Sequence, residues 1–181
     1  IGRRQRQMCI RDRRYDVLYK LIIKILEAIP YKGLFYIGKV LALLLHTLPN
    51  KHKKISKANL KLVFPHKTSL QINSILRDSL FHSIMNMLEA GLVWGKKDYK
   101  KKQGFVDVEN FSKIESSLSS DKGVLLFTPH IGNIEIIINF LGQHTDCTIP
   151  YTQPKNKDLD NIITNSRNKS GVKMVDINAV S

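Results

Sequence analysis

His130 and Glu135 bracket the segment His130-Ile131-Gly132-Asn133-Ile134-Glu135, which follows Pro129 and the apolar run Val124-Leu125-Leu126-Phe127. Imidazole titrates near neutral pH, so a histidine held at the exit of a strand suits the removal of a hydroxyl proton as the oxygen attacks a thioester. A carboxylate bonded to the other ring nitrogen fixes the tautomer and stabilises the imidazolium that forms. Five residues along one continuous helix would turn the two side chains apart, so the pair can meet only if His130 sits in a turn and Glu135 in the helix after it. Pro129 and Gly132 suit that turn. The helix opening near Gly132-Asn133 would aim backbone N–H groups at the pocket and favour anionic groups there.

Other chemistries fit these residues less well. A zinc site of the HExxH kind needs two histidines four apart, and His130 has no second histidine at metal spacing. Serine hydrolysis on a strand–helix elbow needs G-x-S-x-G, which the chain lacks. A histidine satisfied inside the fold, without a chemical role, is the structural alternative.

Further residues carry a resemblance. Asn59-Leu60 followed by Phe64-Pro65, the Gly123-Val124-Leu125-Leu126 run, His130 with Glu135, Tyr151 with Pro154-Lys155-Asn156 and Leu159-Asp160, and Arg167 before Gly171 occur in that order. Over about residues 30 to 181 the chain resembles the late acyltransferases of lipid A biosynthesis, the lauroyl and myristoyl transferases, whose motif is His, four residues, then Glu or Asp. The resemblance implies transfer of a fatty acyl chain from acyl carrier protein or acyl-CoA to a hydroxyl of a lipid A precursor, at the cytoplasmic face of a bacterial inner membrane. It implies His130 as general base, Glu135 as its orienting acid, and Arg167, Gly132 and Asn133 as substrate-binding residues, with no metal or other cofactor. One departure stands out: relatives commonly have Arg-Pro after the tyrosine, and this chain has Thr152-Gln153. Arg167 is then the remaining guanidinium for a phosphate or a developing oxyanion. A related acyltransferase for another glycolipid or a glycerophospholipid is the nearest alternative.

The elements needed to position these residues follow from periodicity. Leu- and Ile-rich segments at roughly 15–29 and 33–48, broken by Pro30 and Gly33, carry lysines to one side and fall short of the ~18 uncharged residues of a clear spanning helix. They are expected to associate with a membrane, lying on its surface or crossing it as a tilted span with snorkelling lysines, with burial against the domain as the competing arrangement. Lys53, Lys57 and Lys61 line one face of a helix over Lys51–Val63, suited to anionic lipid, glycolipid phosphates or an acidic carrier protein, with a plainly solvated charged face as the alternative. Thr68-Ser69-Leu70-Gln71 is a capping box that opens a long helix to about Trp94, with Ile72, Ile75, Leu76, Leu80, Ile84, Met87 and Leu88 as core. Its other face carries the polar row Asp78, His82, Asn86 and Glu89, most of which is expected to face water. Lys96 to Lys102 form a basic loop.

From Phe105 short strands alternate with helices: strand 105–108, helix 110–118, strand 124–128, helix 133–141, strand 147–151, helix 157–169 and a strand from about 173. That alternation predicts an α/β fold, a mostly parallel sheet flanked by helices and preceded by the N-terminal membrane-associating helices. Sites in such sheets gather at the carboxyl ends of strands.

Residues 1–13 read as a translated sequencing adapter, 14–50 as the membrane-associating helices and 51–181 as the acyltransferase domain, expected to be incomplete at its C-terminus because Val175 to Ser181 stops in a strand pattern. Residues 1–13 hold five arginines and one aspartate, so without them the formal charge falls from +14 to +10. Cys9 goes with them, leaving Cys147 without a disulfide partner, as in a reducing compartment. A basic module that binds membranes or nucleic acid is the non-enzymatic alternative. No nucleic acid is expected, since aromatic residues are not interleaved with the basic clusters as stacking platforms.

Overall fold

The computed structural model describes residues 17–95, 108–119, 123–129 and 131–179. The described chain is mostly helical: α1 (Val17–Ala28), α2 (Tyr31–Thr47), α3 (Lys51–Val63), α4 (Ser69–Gly95), α5 (Ser112–Leu118), α6 (Ile134–His144), β1 (Thr148–Tyr151), α7 (Lys157–Lys169), β2 (Lys173–Asp176) and a 3-10 turn at Ile177–Ala179.

Helix α4 is the spine. Its start is the expected capping box, in which the Thr68 N–H donates to Gln71 Oε1 at 2.9 Å and the Gln71 N–H donates to Thr68 Oγ1 at 3.3 Å. Ile72, Leu76, Leu80 and Ile84 recur every four residues and are buried, so one stripe makes the core. Helix α2 answers with Leu34, Gly38 and Ala42, also four apart and buried. Gly38 faces Met85, where a β-carbon would collide with the thioether, and Phe35 meets Phe81 edge to face at 5.3 Å. This contact corrects one expected core position: Met85 is buried, whereas Met87 is 76% exposed. Both fit helical spacing, and the small residue on α2 decides which is covered. Helix α1 lies against the end of α4, with Leu26 over Gly91 and Ile23 over Gly95.

Helices α1 and α2 are bent by 119° at Ile29-Pro30. Among the described residues no single helix is long and apolar enough to cross a membrane, and the bent pair passes that test only together. Large apolar side chains remain on their outer faces, including Leu21, Ile25, Tyr36, Val40, Leu43 and Leu44. Helix α3 starts on Asn50, whose side chain accepts from the Lys53 N–H at 2.8 Å, and it buries no residue.

The sheet is smaller than expected. β1 and β2 pair in parallel, Thr148 opposite Lys173 through Tyr151 opposite Asp176, and α7 is the crossover between them. Residues 124–128, expected as a strand, belong to no regular element, and Leu125 and Phe127 are 80% and 91% exposed. An apolar, β-prone run becomes a strand only when a ladder partner takes its N–H and C=O groups, and this run has none among the described residues. Of the expected strand 105–108, residues 105–107 lie outside the described residues and Val108 is not in a strand. The basic loop at 96–102 also lies outside them.

Helix α7 ends in a Schellman turn: the Val172 N–H donates to Arg167 O at 3.2 Å and the Gly171 N–H to Asn168 O at 3.1 Å. Gly171 has φ +96°, and its α-carbon packs on the Gly142 carbonyl of α6. A side chain at either glycine would drive α6 and the α7–β2 turn apart. Gly171→Ala is therefore expected to lower unfolding stability by about 1–3 kcal/mol in urea titration. A loss below about 0.5 kcal/mol would show that the turn tolerates a β-carbon.

Candidate active site

Helix α6 begins where sequence spacing places it. Gly132, exposed and at φ +72°, turns the chain. Asn133 is the N-cap, its side-chain oxygen accepting from the Glu135 N–H at 3.0 Å. Glu135 falls in the first helical turn, where its charge favours the helix dipole. His130 lies outside the described residues.

Glu135 is buried and meets α7. Arg167 Nη2 lies 2.5 Å from Glu135 Oε1, and Arg167 Nε donates to Oε2 at 3.1 Å, a bidentate fork between guanidinium and carboxylate. The Glu135 side chain is 7% exposed and that of Arg167 15%. Arg167 is thus no solvated surface charge. Its fork spends two of five N–H donors on Glu135, and the carboxylate keeps one lone pair on each oxygen for a third donor such as an imidazole N–H.

The frame around this pair is polar and fitted. Asn156, from the Pro154-Lys155-Asn156 block, caps α7 by accepting from the Asp158 and Leu159 N–H groups at 2.9 and 3.1 Å. The Ser166 hydroxyl donates to Val93 O at 3.3 Å, fastening α7 to α4 one residue before Arg167. On the other side of α6, the Asn133 amide donates to Glu89 Oε2 and to Asn86 O, both at 3.4 Å. The far half of the α4 polar row therefore borders the site, while Asp78 and His82 face solvent as expected. Four-residue spacing put Glu89 on that face, but only the packing of α6 distinguishes it from Asp78.

Two other features bear on chemistry. Burial pushes the Cys147 thiol up from its ordinary pKa, which keeps it protonated near neutrality and a poor nucleophile. A groove of about 730 Å³ runs between α1, the end of α4 and α7, lined by Lys20, Lys24, Trp94 and Lys169 among others. Among the described residues no group of three histidine, cysteine or acidic side chains is placed to hold a metal ion.

The family described as bacterial lipid A biosynthesis acyltransferase matches residues 3–180 of the chain. The lipid A biosynthesis palmitoleoyltransferase of Escherichia coli (strain K12) is 21% identical over 147 residues, covering 81% of this chain and 48% of the relative. A lipid A biosynthesis acyltransferase of Shigella flexneri is similar to the same extent. The chain spans about half the length of these curated relatives. No solved structure matches it.

The ion pair makes a stability prediction. Arg167→Ala strands Glu135 as a buried charge and is expected to cost about 3–5 kcal/mol, whereas Glu135→Leu combined with Arg167→Met should cost less than Arg167→Ala alone. Urea unfolding followed by circular dichroism reads both. A double variant no more stable than the single one would argue that the pair is not electrostatically closed.

Proposed function

Because the chain belongs to the bacterial lipid A biosynthesis acyltransferase family, we propose that it moves a fatty acyl group from a thioester to a hydroxyl of a lipid A precursor. The observation that carries this reading is the buried fork that joins Glu135, in the first turn of α6 and five residues after His130, to Arg167 in the last turn of α7. His130 takes the proton of the acceptor hydroxyl as its oxygen attacks the thioester carbonyl, and returns it to the departing thiolate. Glu135 accepts from the far N–H of that imidazole, fixing its tautomer and stabilising the imidazolium. Arg167 keeps Glu135 oriented, and its remaining donors can meet negative charge on the substrate or the developing oxyanion. Gly132 and Asn133 hold the turn open to substrate at the start of α6, where the helix dipole favours an anionic group.

The donor is a thioester on acyl carrier protein or coenzyme A, and the site of action is the cytoplasmic face of a bacterial inner membrane. The exposed apolar faces of α1 and α2 support that location, because a bent pair of amphipathic helices can lie within the headgroup boundary.

Turnover with defined acyl donors and a tetraacylated lipid A precursor tests the chemistry. His130→Ala and Glu135→Ala are each expected to lose about two to four orders of magnitude in kcat. Near-normal turnover in either variant refutes the role assigned to that residue. For the membrane, replacing Val40, Leu43 and Leu44 together by serine is expected to weaken co-sedimentation with anionic vesicles by about tenfold or more. Unchanged binding would place the contact elsewhere.

A further inference from the structure

Glu89 is half-buried on α4 and is held without a cation among the described residues. The Tyr31 hydroxyl of α2 donates to its Oε1 at 2.8 Å, and the Asn133 amide donates to its Oε2 at 3.4 Å. Asn133 is held at both ends. Its oxygen caps α6 by accepting from the Glu135 N–H, so its nitrogen must point toward α4, where the Glu89 carboxylate and the Asn86 carbonyl share it. Glu89 thereby sets the orientation of the residue that joins the Gly132 turn to the Glu135 helix, and ties that turn to α2.

We propose that Glu89 is a positioning residue for acyl transfer, acting through Asn133 on the turn between His130 and Glu135. This rests on the roles given to His130 and Glu135 under the proposed function. Two acceptors in the right places are what the geometry requires of Glu89; a negative charge or a transferable proton is not. Glutamine can keep both contacts, since its oxygen accepts from Asn133 while its NH2 group donates to a Tyr31 hydroxyl turned the other way. A residue that worked by charge or proton transfer would not survive that change.

The experiment measures turnover and amide hydrogen exchange on the same purified protein. Glu89→Ala is expected to lower kcat about 10- to 100-fold with KM for the acyl donor within about threefold, because misplacement of a catalytic turn is felt in the reacting geometry. The hydrogen-bonded amides of Glu135 and Ile136 should exchange about tenfold faster in that variant. Glu89→Gln is expected to retain kcat within about fivefold and to keep the slow exchange. Asn133→Asp sets two carboxylates against each other and should lose both activity and protection. Adding Glu89→Gln to it should recover part of the protection, since the glutamine NH2 then donates to the aspartate.

Glu89→Gln as impaired as Glu89→Ala would overturn the proposal in favour of a charged role, and a double variant with no recovery of protection would overturn it as well. Raised KM at unchanged kcat would point instead to substrate binding and also overturn it. If the wild-type protein transfers no acyl group, the functional reading fails first, and unchanged exchange at Glu135 and Ile136 in Glu89→Ala would separately sink the hold on the turn.

Discussion

The buried fork between Glu135 and Arg167 is the constraint around which the described site is arranged. Two opposite charges taken out of water repay their desolvation only when geometry is good and the remaining polar groups are met. Both helices are shaped to that end. Asn133 starts α6 so that Glu135 falls in its first turn, and Asn156 starts α7 so that Arg167 falls in its last. Each charge also sits at the end of its helix that favours it, the carboxylate near an N-terminus and the guanidinium near a C-terminus.

The same pair needs α6 and α7 at a fixed distance, and that distance is set by small residues and by α4. Gly142 and Gly171 let the two segments touch at the backbone, while Ser166 fastens α7 to Val93. On the opposite side Glu89 and Asn86 of α4 hold Asn133. The site is therefore built between a long rigid helix and a short βαβ unit, and α2, with its exposed apolar face, connects to it through Tyr31. Such an arrangement puts an exposed apolar face and the buried ion pair on one framework.

Much of this frame was legible in local sequence. The capping box at Thr68-Gln71, the extents of α3 and α7, and the break at Pro30 all rest on interactions within a few residues, and each appears where spacing places it. Expectation failed where a distant partner decides. The run 124–128 has every intrinsic quality of a strand yet pairs with nothing among the described residues, and Met87 lost its place in the core to Met85 because Gly38 lies across from the latter.

The amino-acid order alone determined which groups with useful chemistry exist and on which short element each rides: Glu135 at a helix start, Arg167 before a glycine turn, Glu89 on a polar face of α4. Helical periodicity and capping are local, so they can be read along the chain. Tertiary packing alone decided that Arg167 grips Glu135 with both arms and that Glu89 reaches Asn133 while Asp78, on the same face, meets water. Those pairings span 32 and 44 residues, and only the three-dimensional path of α4, α6 and α7 brings them within hydrogen-bond distance.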